Sequence, residues 1–225
     1  MKVVFEFTKS GDMIYISHLD LGRLFLRVLR MSGLRPVYSQ GFNPHPKMSF
    51  TLPLSLGIHS VCELLEFETD GQIVSLDKVN ERLPEGVRVL SWSEKPGSIT
   101  KSLASFVSAA SYEFMCEGIS DAPSLLAAFF ELDSFPVQKL DKKTGTQKTK
   151  DIRGEMLDYR IIKNMRGRML AEATLSAMPG KTLNPVIFFE AFCESAGLNK
   201  DSLAPVITRT AILGSDGKPL KEVLQ

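Results

Sequence analysis

Val3-Val4-Phe5-Glu6-Phe7-Thr8 alternates in hydrophobicity, as a half-buried strand does. Ser10-Gly11-Asp12 follows as a turn, and Met13 to Ile16 as a short apolar extension. Ser17 is then placed as a helix N-cap, with Asp20 three residues on in the manner of a capping box. The helix is predicted over His18 to about Met31, closed by Ser32-Gly33. Leu21, Leu24, Phe25, Val28 and Leu29 recur at helical spacing and turn one stripe toward a core. A strand feeding an amphipathic helix opens a strand–helix–strand unit, and the rest of the chain follows from it.

Arg35 to Tyr38, Ser49 to Leu54 and Val61 to Glu68 read as extended segments, Ser75 to Leu83 as a helix, and Val87 to Trp92 as a strand. Lys95-Pro96-Gly97-Ser98 breaks the pattern. The same grammar then recurs. Strands are predicted at Ser111–Cys116, Phe135–Leu140, Asp158–Ile162, Met169–Leu175 and Val206–Leu213. Helices are predicted at Ala122–Leu132 and, behind the N-cap Asn184 and Pro185, up to Ser195-Ala196-Gly197. The expected fold is α+β: two tandem ferredoxin-like (βαββαβ) units with antiparallel sheets, one in residues 1–95 and one in 96–225. A single mixed domain is the competing arrangement, because no residue-level repeat joins the halves.

Composition sets limits on function. The 225 residues are 44% hydrophobic and 24% charged, enough for a real core, and the net charge of +1 gives no global pull toward nucleic acid or membrane. No apolar run is long enough for a transmembrane helix, and the charged, alternating N-terminus does not read as a signal peptide. Cys62, Cys116 and Cys193 are too widely spaced for a metal site or a disulfide framework and fit reduced, buried thiols. A cytoplasmic protein with no membrane association and no cofactor is expected. Phosphate-binding glycine loops, the G-x-S-x-G elbow, H-E-x-x-H and an iron–sulfur cysteine cluster do not occur, and no catalytic residue is assigned.

Two regions carry candidate binding residues. Arg23, Arg27 and Arg30 fall on one stripe of the first helix, where planar guanidinium forks suit phosphate or carboxylate, although Asp20 can pair with Arg23. The following segment is Tyr38-Ser39-Gln40-Gly41-Phe42-Asn43-Pro44-His45-Pro46-Lys47-Met48-Ser49-Phe50. Pro44 and Pro46 hold Asn43 and His45 extended, so a stiff loop is expected to present Tyr38, Phe42, Asn43, His45 and Lys47 to a flat or anionic substrate. The second region, residues 139–168, carries a net +6, which leaves about −5 for the remainder. Within it Lys142, Lys143, Lys148, Lys150 and Arg153 are candidate RNA-binding residues on a hairpin, by charge rather than by base recognition.

Ile16-Ser17-His18-Leu19-Asp20, the helix arginines, the 38–50 segment and Pro53-Leu54-Ser55-Leu56-Gly57 together resemble the radical SAM-linked (radical SAM-associated) family, and Lys150-Asp151-Ile152-Arg153 adds a shorter match. The resemblance implies a radical SAM protein as partner, supplied in trans because this chain lacks the cysteine cluster. It transfers no catalytic residue. The expected function is therefore an accessory or substrate-recognition protein that works with a radical SAM enzyme and binds RNA. Two alternatives stand: a stand-alone RNA-processing or RNA-modifying enzyme using His18 or His45, and a purely structural interaction module.

Overall fold

A computed structural model describes residues 1–71, 75–140, 145–165 and 167–224. Its strands are β1 (Lys2–Lys9), β2 (Met48–Phe50), β3 (His59–Glu68), β4 (Val87–Glu94), β5 (Ala109–Glu117), β6 (Pro136–Leu140), β7 (Gln147–Asp151), β8 (Met156–Met165), β9 (Arg168–Ser176) and β10 (Val206–Leu213). Its α-helices are α1 (His18–Met31), α2 (Leu76–Asn80), α3 (Ala122–Glu131) and α4 (Pro185–Ser195). The fold is mixed α+β with mostly antiparallel strand pairing.

The chain divides into two compact units: Met1–Ser108 with Thr208–Gln225, and Ala109–Ile207. A boundary at 95/96 was expected. The division falls later, because Ser108 N–H donates to Leu213 O at 2.9 Å and Lys221 pairs with Glu6 at 2.8 Å, which returns the C-terminal segment to the first unit.

In the first unit β1 lies between β3 and β4, antiparallel to both, with Phe5 opposite Leu65 and Trp92. β2 flanks β3 antiparallel, and Thr208 and Arg209 run parallel beside His59 and Ser60. α1 forms where its sequence directs. Ser17 Oγ accepts from the Asp20 N–H at 3.1 Å and donates to the Asp20 carboxylate at 2.7 Å. Leu21, Phe25, Val28 and Leu29 are buried against the sheet. Phe7 meets Phe25 edge-on at 4.7 Å and Phe5 meets Phe67 at 4.9 Å, geometries that add to plain burial.

In the second unit β9 lies between β5 and β8, all antiparallel, and β6 and β7 form a separate hairpin. Asn184 Oδ1 caps α4 by accepting from Val186 N–H at 2.8 Å. The core is phenylalanine-rich: Phe114 packs on Phe188 at 5.2 Å, and Phe129 on Phe188 and Phe192 at 5.7 and 5.9 Å.

Three local expectations differ from the fold. Gly11–Tyr15 is a 3-10 turn, not an extension, because Ile14 must reach the interior. Arg35 to Tyr38 makes only single bridges, Pro36 to Thr69 and Tyr38 to Pro46, since Pro36 has no N–H to continue a ladder. β7 was expected only as part of a basic hairpin and not delimited as a strand, because Gln147-Lys148-Thr149-Lys150-Asp151 has no apolar alternation to announce it.

Two glycines make opposite predictions. Gly86 has φ +91, and a Cβ there would lie 2.4 Å from the Ser10 carbonyl oxygen, which is backbone and is also the partner strand's turn. Gly86→Ala should lower unfolding stability by about 2 kcal/mol or more in urea titration. Gly22 sits inside α1, and its Cβ would meet Phe50 at an ordinary 3.8 Å. Gly22→Ala should raise stability by roughly 0.5–1 kcal/mol in the same assay.

Candidate functional site

The 38–47 loop is held by its backbone at the stem and leaves its side chains outside. Val37 N–H donates to Glu68 O at 2.9 Å, Lys47 N–H to Val37 O at 2.8 Å, and Glu68 N–H to Lys47 O at 2.9 Å. Ser39 N–H donates to His45 O at 2.8 Å, and His45 N–H donates back to Ser39 Oγ at 3.0 Å. Gly41 has φ +123, a conformation side chains disfavour, and a Cβ there would meet nothing, so glycine is required by the turn rather than by crowding. Beyond it Phe42 is fully exposed at 112%, with Asn43 and His45 exposed beside it. Phe50, at the end of the same segment, does the reverse and packs on Phe7 and Phe25, each at 5.9 Å.

The three arginines of α1 are all exposed, but they are not equivalent. Arg23 bonds the Asp20 carboxylate at 2.8 Å. Arg30 donates to the Tyr38 hydroxyl, with its guanidinium carbon 5.6 Å from that ring's centre. This contact joins the end of the stripe to the base of the loop. Arg27 makes no hydrogen bond or ion pair among the described residues. Lys47 is tied to Glu68 at 2.8 Å, and that lysine is the main reason the Glu68 carboxyl is held below its ordinary range. The arrangement places Tyr38, Phe42, Asn43 and His45 on one stem and loop, and Arg30 of α1 meets it at Tyr38, with Arg27 on the same helix. Neither His18 nor His45 has an ion pair with a carboxylate among the described residues, and His18 lies edge-on to Phe50 at 5.1 Å.

The basic segment of the second unit is largely spent on structure. Lys142 and Lys143 lie outside the described residues. Lys148 is exposed on β7. Lys150 pairs with the buried Glu155 at 2.8 Å. Arg153 donates from Nε to Leu132 O and from Nη2 to Phe130 O, each at 2.7 Å, and so caps the C-terminal carbonyls of α3. Asp151 accepts from the Arg153 and Phe135 N–H groups, both at 2.9 Å, and from Ser134. These bonds, the Arg153 amide first, hold its carboxyl below the usual range. A groove of about 760 Å³ between this hairpin and α4 is lined by Val137, Ile152, Leu183, Ile187 and Cys193, with Lys150, Glu190 and Lys200 among its polar groups.

A buried charge cluster in the first unit was not anticipated. Lys9, Glu63 and Arg209 are 1%, 4% and 2% exposed. Arg209 bonds Glu63 at 2.9 Å, and Ser60 donates to the same carboxylate oxygen at 2.7 Å. Burial lowers the Lys9 ammonium pKa from its ordinary value; Glu63 opposes that shift and Arg209 adds to it. The signal was available: Lys9 continues the alternate positions Val3, Phe5 and Phe7 of β1, which face the core.

A family model matches residues 2–185 of the chain. The chain belongs to that family, described as an uncharacterized protein conserved in bacteria (DUF2344). Nothing in this membership links the DUF2344 chain to radical SAM enzymes, so the narrower resemblance read from the 38–50 segment stays outside what the match establishes. No curated protein matches. A chain from the crystal structure of a Cbf5-Nop10-Gar1 complex is similar at 10% identity and a TM-score of 0.48, over 93% of this chain and 48% of that one. This chain thus spans about half the length of that relative, and a likeness so weak carries no argument.

The three cysteines are free. Burial pushes the Cys62 thiol up to about 12, with Glu63 adding to it, and pushes Cys193 up to about 11 and Cys116 upward as well. At pH 8 the Cys62 thiolate is then about one part in ten thousand. Native protein treated with iodoacetamide at pH 8 should stay unalkylated at Cys62 by mass spectrometry while urea-unfolded protein is modified. Rapid native alkylation of Cys62 would show that the thiol is not shielded.

Proposed function

We propose that this DUF2344 protein is a recognition protein that binds single-stranded RNA through the face made by α1 and the 38–47 loop. The observation that carries the reading is Phe42, a fully exposed aromatic ring on a loop whose backbone is pinned at both arms. A large apolar ring held out in water by a stiff stem is a stacking surface for a flat group. Exposed Arg27 and Arg30 on α1, the latter in contact with Tyr38 at the loop's base, would supply charge for the backbone of such a ligand. Asn43 and His45 add donors and acceptors at the same tip.

Partnership with a radical SAM enzyme belongs to the same proposal and is supported by the motif resemblance alone. The tandem ferredoxin-like reading is supported in the first unit by the order β1-α1-β2-β3-α2-β4 and by the strand neighbours β4-β1-β3-β2. After Ser108 the chain runs through the similar succession β5-α3-β8-β9-α4-β10, with the β6–β7 hairpin between α3 and β8, although most of β10 belongs to the first unit. Free cysteines suit the cytoplasm, and among the described residues no helix is long and apolar enough to cross a membrane.

Fluorescence anisotropy with a labelled single-stranded RNA over a salt series tests the reading. Phe42→Ala should weaken binding by roughly 1–3 kcal/mol with little change in salt slope. Arg27→Ala should weaken it across sequences and reduce the slope by about one. Absence of binding at low salt, or full affinity in Phe42→Ala, would sink the proposal.

A further inference from the structure

The β6–β7 hairpin of the second unit leaves a strand edge open, and nothing about that edge depends on the RNA reading. Among the described residues β6 pairs with β7 alone. Bonded and non-bonded pairs alternate along an antiparallel ladder. Ile152 N–H donates to Phe135 O at 3.0 Å, and Pro136, opposite Asp151, has no N–H to give. The next bonded pair is therefore Val137 with Lys150. Gln138, opposite Thr149, then turns its main-chain N–H and C=O away from β7, while its side chain reaches across to Thr149 Oγ1 at 3.1 Å. An open pair of this kind is a template for another strand.

That edge borders the groove of about 760 Å³, because Pro136 and Gln138 line it together with the hairpin face and α4. Its apolar wall is Val137, Ile152, Leu183, Ile187, Ala191 and Leu198, and its volume lies in the range of a ligand site. Its charges leave one remainder. Lys150 is paired with Glu155 at 2.8 Å and Lys200 with Glu190 at 2.7 Å, whereas the exposed Glu194 has no ion pair among the described residues. An acyl chain would fill the wall and leave the edge unbonded. A helix would bring no free N–H or C=O to Gln138, because its own ladder uses them. An extended peptide meets both: its backbone bonds the edge, and alternate side chains enter the groove. We infer that the β6 edge and the α4 groove form a docking site for an extended segment of a partner protein, apolar at alternate positions and carrying a lysine or arginine to meet Glu194.

Fluorescence polarisation with the full chain, without RNA, tests the site. The probes are labelled peptides of roughly six residues, a usual strand length, with Val, Ile or Leu at alternate positions and Lys, Glu or Thr between them. Dodecanoate serves as the apolar competitor. Lysine-bearing peptides should bind more tightly than glutamate-bearing ones by roughly two- to fivefold, the size of an exposed ion pair. Gln138→Pro removes the outward N–H and should weaken binding roughly tenfold. Its urea midpoint should hold, since proline is tolerated where an edge N–H faces outward. Gln138→Ala keeps that N–H and should bind as wild type does. Glu194→Lys should turn the preference toward glutamate-bearing peptides. No peptide binding, undiminished affinity in Gln138→Pro, or an unchanged preference in Glu194→Lys overturns the site. A Gln138→Pro chain that unfolds overturns the open edge, since its N–H would then belong to the ladder. Saturable dodecanoate binding without peptide binding assigns the groove to a small amphiphile, and a dimer that Gln138→Pro dissolves assigns the edge to a second copy; either result overturns the partner segment.

Discussion

The guanidinium of Arg209 is the tie on which the first unit depends. From one buried position it donates to Glu63 at 2.9 Å, to Leu52 O at 3.0 Å and to Pro53 O at 2.8 Å. From its place on β10, Arg209 thus ties together two other stretches of chain, the segment after β2 and the middle of β3. Removing one member of a buried pair costs about 3–5 kcal/mol, because the other charge is left without compensation. The bonds to Leu52 and Pro53 satisfy carbonyls that no strand ladder reaches. They fix the chain just after β2, and β2 is where the 38–47 loop rejoins the sheet with Met48 opposite Phe67. The far arm of the loop is therefore rigid for a reason that lies well away from it.

The same tie has a consequence for the end of the core. β1 contributes Val3, Phe5 and Phe7 to an apolar interior, then Lys9 at the next inward position. Glu63 opposes the burial-driven fall of the Lys9 pKa while it bonds Arg209 directly at 2.9 Å. The apolar core thus ends in a buried charged cluster, and Phe50 closes the aromatic stack against Phe7 and Phe25.

What was legible in the sequence was whatever local periodicity and capping could state. α1 runs over His18–Met31 as read, since Ser17, Asp20 and the apolar stripe all point to one answer. β10 at Val206–Leu213 was equally plain. The return of residues 208–225 to the first unit was not, because long-range pairing leaves no local trace. Phe42 and Phe50 show the same limit within one loop. Both are phenylalanines near prolines, and only the register of Phe50 opposite Leu65 separates the buried ring from the exposed one. Arg153 could be seen as a charge, whereas its use on the Phe130 and Leu132 carbonyls depends on how α3 ends.

Charge and shape therefore trade places as grounds for function. The +6 of residues 139–168 looked like an electrostatic footprint. Yet Lys150 is paired with Glu155, Arg160 with Glu172, and Arg168 with Glu117, while Arg153 is turned onto backbone carbonyls. A neutralised cation exerts little field beyond a Debye length of about 8 Å. The loop argues differently. Leaving Phe42 in water forgoes roughly 1.5–3 kcal/mol of burial, and the stem that prevents its collapse is built from backbone bonds at 2.8–3.0 Å. A ring kept exposed at that cost, on a stem already ordered, would lose little further entropy on meeting a flat partner, and it is this preorganisation rather than net charge on which the proposed recognition role of the 38–47 loop rests.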